Sequence, residues 1–273
     1  MEIRSRILGG ALLSTLVVTS AVAAVDPLSV AGSVGAGWQS FVSPNEDGVP
    51  FWDVPSADGS GYNVGYFLTG TGGYSSNANS PRLDPSKLTY WGYSSGLADL
   101  AVTLSTLLNV SANLKIEVAG LAGQNSVGYY TGNSLSSFTT LFNGSSVIGS
   151  TTSFTPNGSF GLAIKTPVRS SSNPDIFASQ ANLNTDSSVR NNQDVAIFKY
   201  VNGATTTFYV GFEDTPYTTL GEYTSSSHNI GDFNDVILQL SVQTVPEAGT
   251  WAAIGAVVGI AALQGYRIHR KRA

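Results

Sequence analysis

The sequence between residues 25 and 244 predicts an all-β fold, of the β-sandwich or jelly-roll kind. Short segments alternate apolar and polar residues with a period of two, which is typical of strands with one face in a core. Turn residues separate these segments, and the dipeptide Asn-Gly, which suits tight hairpin turns, occurs three times. We find no convincing helical pattern in this region. Many short strands with frequent turns are typical of two packed β-sheets.

Four segments carry the alternation, and each is predicted to be a strand. The last of them is the clearest, because every second residue from Val236 to Val242 is apolar and the residues between them include Gln239 and Ser241. This pattern gives a strand one apolar and one polar face. In chain order the four segments are 62–68, 114–118, 160–165 and 236–243.

Other regions are assigned from their turns and composition. Asn202-Gly203 lies between two apolar runs, which predicts a hairpin. Residues 96–110 fit a helix or a strand, and Val102-Thr103-Leu104 favours the strand. Residues 26–60 and 169–193 are rich in Ser, Asn, Pro and Asp, so we expect long loops there.

The first 24 residues have the layout of a secretory signal peptide. Arg4 and Arg6 precede an apolar run over 7–18, and Ala21-Val22-Ala23 forms a small-residue cleavage site. An uncleaved membrane anchor is the alternative, but the apolar run is short for one. We expect the chain to be exported by the secretion machinery.

Residues 245–273 form a second membrane-directed segment. A transmembrane helix is predicted over about 250–266, with Trp251 and Tyr266 at its borders and a basic cluster after it. Such a helix would be ~25 Å long, slightly less than a hydrocarbon core of ~30 Å. A buried core helix is the alternative, and the absence of a polar face argues against it. The basic residues are Arg267, His269, Arg270, Lys271 and Arg272.

This C-terminal segment resembles the PEP-CTERM sorting signal of bacterial exported proteins. The resemblance rests on Val245, Pro246 and Glu247, then Trp251 and the short span, then Arg267, Arg270, Lys271 and Arg272. It implies recognition by an exosortase, a membrane cysteine peptidase, and release to the cell surface or the extracellular space. The usual motif has proline after the glutamate, whereas this chain has Ala248. An ordinary stop-transfer anchor is the alternative.

Composition excludes several kinds of chemistry. The chain has no cysteine and two histidines, which excludes disulfides, thiolate metal sites and multi-histidine sites. The net charge is −5, but both ends are basic and residues 25–244 carry seven Lys and Arg against sixteen Asp and Glu. Phosphate would repel so acidic a region, so we expect no nucleic-acid partner.

Acidic residues gather at two predicted strand ends. Glu213 and Asp214 follow one strand, whereas Asp232, Asn234 and Asp235 precede the last one. If these strands are neighbours, the side chains lie at one rim of a sheet, where carboxylate and amide oxygens suit Ca²⁺. The alternative is that they are solvated turn residues. The sequence therefore indicates a calcium site at this rim.

The same stretch resembles β-rich domains that often precede PEP-CTERM tails. The resemblance rests on Phe212-Glu213-Asp214, on Asp232-Phe233-Asn234-Asp235, and on the earlier segment 125–130. It covers roughly residues 114–243 and implies a calcium-binding acidic segment. This chain has a longer loop between the two acidic halves than the resemblance would suggest.

Parts of the sequence also fit two other functions. Five aromatic residues could form a carbohydrate-stacking face, with extracellular polysaccharide as the partner, or could lie in the core. Gly92-Tyr93-Ser94-Ser95-Gly96 matches the nucleophile elbow of hydrolases, with His228 later in the chain, but that elbow needs a helix after it. We therefore expect a non-enzymatic exported surface or matrix protein, stabilised by calcium. The five aromatic residues are Trp38, Trp52, Tyr74, Trp91 and Tyr93.

Overall fold

The architecture was obtained as a computed structural model. It contains two antiparallel β-sheets, so the predicted all-β class is confirmed. The predicted signal peptide, the sorting motif and the predicted transmembrane segment lie outside the residues that the structure describes. Those residues are 28–32, 37–41, 63–71, 77–92, 100–104, 109–117, 122–167, 176–184, 194–203, 205–214 and 233–243.

The smaller sheet has six strands. Strand β9 lies at its centre, beside β6 along its whole length, and β10 pairs with the end of β9 that β4 leaves uncovered. The order across the sheet is β1 (Leu28–Ala31), β4 (Ala101–Leu104), β9 (Phe160–Lys165), β6 (Ser126–Thr131) and β7 (Thr139–Asn143), with β10 (Ile176–Ala178) attached to β9.

The larger sheet has seven strands. The last of the described strands does not lie at its edge but between two earlier strands. The order is β2 (Gly37–Ser40), β3 (Leu88–Gly92), β11 (Val195–Asn202), β12 (Thr205–Phe212), β13 (Val236–Gln243), β5 (Asn109–Glu117) and β8 (Thr151–Phe154).

One hydrophobic cluster contains residues of both sheets, so the sheets face each other across it. Leu162 and Ile164 of β9 belong to this inter-sheet cluster, as do Val210 and Leu238 of the larger sheet. Phe154 stacks on Tyr129 of the opposite sheet with ring centroids 4.4 Å apart. Burying each such side chain contributes roughly 1.5–3 kcal/mol, so this cluster holds the two sheets together.

A second cluster covers the outer face of the larger sheet. Helix α1 (Val64–Thr69) contributes Val64, Phe67 and Leu68, which pack with sheet residues such as Phe198. We call this set the outer cluster. It explains why the larger sheet is apolar on both faces at this end.

Helix α1 corrects the prediction of a strand over 62–68. The side chain of Asn63 accepts the N–H of Tyr66 at 2.9 Å and so caps the first turn. Gly70 ends the helix in the left-handed region at φ 69°. The buried residues Val64, Phe67 and Leu68 have helical spacing, which the alternation of apolar residues concealed.

Three strands lie in regions that were expected to be loops, and this expectation was wrong there. Strands β1 and β2 lie within 26–60, and β10 lies within 169–193. Each has three or four residues and pairs with a strand of one of the two sheets. Pairing, rather than local sequence preference, makes these segments extended.

The other strand predictions agree with the structure. Residues 101–104 and 109–117 form β4 and β5. The described part of 96–110 is therefore strand and contains no helix, as the sequence favoured. The turn at Asn202-Gly203 joins β11 to β12 as a hairpin, with Asn202 opposite Thr205 and Gly203 at φ 62°. The other two Asn-Gly pairs lie between strands of different sheets.

Candidate functional site

The acidic residues singled out from the sequence lie at one end of the larger sheet. Strands β12 and β13 are neighbours, with Phe212 opposite Val236. Glu213 and Asp214 follow the end of β12, so they lie beside Asn234 and Asp235, which precede the start of β13. We call these four residues the acidic corner. Asp232, the fifth predicted ligand, lies outside the described residues.

Two carboxylates of the acidic corner accept backbone hydrogen bonds from the opposite segment. The N–H of Asp214 donates to Asp235 Oδ2 at 2.6 Å, and the N–H of Phe233 donates to Glu213 Oε1. The segment after β12 and the segment before β13 thus each donate one backbone hydrogen bond to a carboxylate of the other. Each carboxylate oxygen has more than one lone pair, so these bonds leave room for further partners.

Three residues of the acidic corner are buried, and the fourth, Asp235, is partly exposed. Glu213 is 7% exposed, Asp214 is 4% exposed and Asn234 is 1% exposed. Asp194, which precedes β11, is 1% exposed, and its carbonyl oxygen accepts the N–H of Glu213 at 2.9 Å. Burying several carboxylates together is costly unless hydrogen bonds or a cation compensate their charge.

Phe233, the residue before Asn234 of the acidic corner, has an unusual backbone conformation. Phe233 has φ 51°, in the left-handed region that a bulky residue rarely adopts. Gly211 of β12 lies against it, and a Cβ added to Gly211 would be 2.5 Å from the Phe233 carbonyl oxygen. The close approach therefore requires glycine at position 211.

Asn125 joins the acidic corner from the smaller sheet. It precedes β6, is 2% exposed, and its Nδ2 donates to Asp214 Oδ2 at 2.8 Å. Its Oδ1 is buried and accepts no hydrogen bond. Neither Asn125 nor Asp194 was predicted as a site residue. Asn125 lies 89 residues from Asp214 in the chain and reaches it from the other sheet, so the sequence gives no local signal for it. Asp194 lies beside Glu213 across the β11–β12 hairpin, so the predicted hairpin is the signal that could have found it.

A β-bulge changes the direction of the last residues of β5. The pairing with β13 skips Lys115, so Leu114 packs in the inter-sheet cluster and Ile116 packs in the outer cluster. This corrects the expectation that Leu114 and Ile116 share one face. Glu117 lies opposite Val236 and lines a small cavity with Leu114 and Asn125. Burial raises the pKa of the Glu117 carboxyl and lowers that of the Lys115 ammonium group.

Within the described ranges, no three Asp, Glu or His side chains are placed to hold a metal ion by themselves. The acidic corner as it stands combines carboxylates that bind backbone N–H groups with the amide of Asn125. Its carboxylates supply oxygen acceptors, whereas the amides of Asn234 and Asn125 carry N–H donors as well as an oxygen. Chemically, it can hold backbone segments together or take part in a cation site that other oxygen ligands complete.

Most of the residues on which the hydrolase and carbohydrate-binding hypotheses depend lie outside the part of the chain that the structure describes. These include Ser94 and His228 of the hydrolase hypothesis and Trp52, Tyr74 and Tyr93 of the carbohydrate hypothesis. The side chain of Trp38 is not described either. Trp91 packs against the inter-sheet cluster, which agrees with the core interpretation for that residue.

Among the described residues, none of the helices is both long and apolar enough to cross a bilayer. The predicted span over 250–266 is not among them, so it stays a prediction.

No protein-family model and no curated protein sequence matches this chain. The resemblance to PEP-CTERM proteins therefore rests on the residues quoted above.

Proposed function

We propose that this chain is an exported, non-enzymatic surface or matrix protein whose C-terminal PEP-CTERM signal directs it to an exosortase. The observation that carries the proposal is the order of three elements after the body: the Val245-Pro246-Glu247 motif, the span over 250–266 and the terminal basic cluster. Strand β13 ends at Gln243, so the motif follows the folded body directly.

Each terminal segment has a physical role in this proposal. The signal peptide over 1–24 starts export, and the span over 250–266 halts the chain in the membrane. Arg267, Arg270, Lys271 and Arg272 keep the tail on the cytoplasmic side. The β-sandwich ectodomain over 25–244 then lies outside the membrane, with the motif at its surface. Pro246 favours an extended backbone at the preceding residue, which suits a peptidase cleft.

Expression of the full chain in a host with an exosortase tests the sorting proposal. We expect a Pro246→Ala/Glu247→Ala variant to stay in the membrane fraction, while the unaltered chain is shortened and leaves it. The matched control is Gln243→Ala, which changes the last strand residue and not the motif. Equal processing of all three chains, measured by mass spectrometry of the C-terminus, would contradict the proposal.

We further propose that the acidic corner binds Ca²⁺ and that this stabilises the ectodomain. Its support is the burial of Glu213 and Asp214 beside Asp235, with Asp232 in the adjoining segment. Asn234 supplies an amide in the same segment. A cation would compensate the charge of these carboxylates, and hard oxygen ligands favour calcium.

Thermal unfolding of the full chain in detergent tests the calcium proposal. Calcium at about 100 times its dissociation constant stabilises a folded protein by about 2.7 kcal/mol, so we expect the Tm to rise by several degrees over that in chelator. Asp235→Asn keeps an oxygen acceptor for the Asp214 N–H and removes the charge, so it abolishes the rise. The control variant is Asp84→Asn, which changes an exposed carboxylate outside the acidic corner, and we expect it to keep the rise in Tm with calcium. The same Tm with calcium and with chelator would refute the proposal.

A further inference from the structure

One side of the β-sandwich is built from a stretch of chain without charge. Residues 118–164 contain no Asp, Glu, Lys, Arg or His, although residues 25–244 carry seven Lys and Arg against sixteen Asp and Glu. The stretch supplies β7 and β8, which are edge strands of the smaller and the larger sheet, and residues 144–150, which join them. We call β7, residues 144–150 and β8 the uncharged side. Acidic copies of one chain repel each other, and the repulsion is weakest where the facing surfaces carry no charge.

The uncharged side also exposes apolar side chains to water. Among the described residues, three large apolar side chains are exposed, and this side carries two of them, Val147 at 72% and Ile148 at 41%. The turn that holds them is bonded to β5: the N–H of Gly149 donates to the carbonyl oxygen of Leu114 at 2.7 Å, and the N–H of Leu114 donates to the carbonyl oxygen of Ser150 at 3.0 Å. Val147 and Ile148 therefore lie just before β8, along the same edge, where burial by a partner is favourable.

Strand β8 has a neighbour on one side only. It pairs with β5, and no other described strand lies beside it. Thr151 and Ser153 are exposed, so their side chains are accessible to a partner. Proteins usually protect an open edge with a charge, a proline or a bulge. β8 has no charge or proline and pairs with β5 without a bulge, whereas the pairing of β7 with β6 has one. The open edge of β8 is therefore available for pairing.

We propose that the uncharged side is a self-association surface, on which β8 pairs antiparallel with β8 of a second copy. A two-fold axis closes the dimer, so the same residues of each copy meet. The pairing joins the two larger sheets and removes Val147 and Ile148 from water. A second copy fits this surface because each presents the same uncharged, β-branched segment, Thr151-Thr152-Ser153, while its charges lie elsewhere. The contact is small, so we expect weak association that is seen at high protein concentration.

Sedimentation velocity of the full chain in detergent and chelator, over a range of protein concentrations, tests the proposal. We expect the wild type to dimerise reversibly, and more strongly at high NaCl, because salt screens the repulsion between acidic copies. Val147→Lys and Ser153→Lys each place like charges from both copies at the contact, so we expect about tenfold weaker dimerisation or more. The matched control is Val201→Lys, at an exposed valine outside the uncharged side, which keeps the dimerisation of the wild type.

Three results of this experiment would overturn the proposal. The first is a wild type that stays monomeric up to its solubility limit. The second is dimerisation that both Val147→Lys and Ser153→Lys leave unchanged, because the copies then associate through another part of the chain, such as the span over 250–266. The third is dimerisation that weakens as NaCl rises, because ion pairs then join the copies.

Single cysteines give a second test, which does not depend on the stability of the lysine variants. The chain has no cysteine, so one introduced cysteine can form a disulfide only with another copy. Alternate residues of an edge strand direct their free N–H and C=O groups outward, so pairing two identical antiparallel strands places one residue opposite its own copy. The Cα atoms of such a pair lie ~4.5–5.5 Å apart, a distance that a disulfide spans.

We expect mild oxidation to give a disulfide-linked dimer for one of Thr151→Cys, Thr152→Cys and Ser153→Cys. The matched control is Ala78→Cys, at an exposed position outside the uncharged side, which stays monomeric. Non-reducing electrophoresis measures the yield of dimer. Yields in all three β8 variants no higher than that of Ala78→Cys would show that β8 does not pair with a second copy.

Discussion

Tyr209 shows how burial changes the chemistry of a single side chain. It is 4% exposed in the outer cluster. Two effects raise the pKa of the Tyr209 phenol to about 12: burial is the larger, and the nearby Tyr200 is the smaller. The native state therefore keeps this proton at pH values where an exposed phenol, with a pKa near 10, loses it.

This difference predicts alkaline destabilisation. Below about pH 10 both the native and the unfolded chain hold the proton, and stability is unaffected by Tyr209. Between about pH 10 and 12 the unfolded chain releases the proton first, so the free energy of unfolding falls as the pH rises. We expect Tyr209→Phe to reduce this fall, measured by urea unfolding at pH 8, 10 and 11. An identical pH dependence in the two proteins would contradict the assignment to Tyr209.

The residues of the acidic corner were only partly accessible to sequence reasoning. Glu213, Asp214, Asn234 and Asp235 could be singled out because they flank two strands with clear patterns. Asn125 could not, because its neighbour Asp214 lies 89 residues away and belongs to the other sheet. Short polar residues at strand ends are so common that only a contact distinguishes a site residue from a turn residue.

At the scale of the element, helix α1 depends on its caps. Six residues form too short a helix to be stable alone, so the Asn63 cap and burial of the apolar face decide its structure. A strand pattern and a helix pattern are difficult to distinguish over so few residues. Asn63 and Gly70, a capping residue and a glycine at the helix end, are the signals that could have predicted it.

Removing the N-terminal cap tests this view of α1. We expect Asn63→Ala to lower the free energy of unfolding by about 1 kcal/mol, because the N–H of Tyr66 loses its acceptor. The matched control is Asn79→Ala at an exposed position, where we expect less than about 0.5 kcal/mol. Chemical denaturation of both variants measures the difference. Equal stability of the two would show that packing alone holds the helix.

For the whole molecule, the fold class followed from the sequence but the sheet order did not. Alternating apolar residues are a local signal, which predicted β5, β9 and β13, and the apolar runs around Asn202-Gly203 predicted β11 and β12. The pairing of β3 with β11, by contrast, joins residues about 110 positions apart. The short strands β1, β2 and β10 are extended because each forms backbone hydrogen bonds with a neighbouring strand. Long-range pairing of this kind leaves no pattern within either segment.

The position of β13 has a consequence for the order of folding. β13 lies between β12 and β5 in the larger sheet, yet it is the last strand among the described residues. Until residue 243 is available, β2, β3, β11 and β12 cannot join β5 and β8 in one sheet. Closing such distant pairs is slow, because the entropy of long loops is lost before the contacts form. In a chain synthesised from its N-terminus, the larger sheet therefore stays in two separate parts until β13 has emerged.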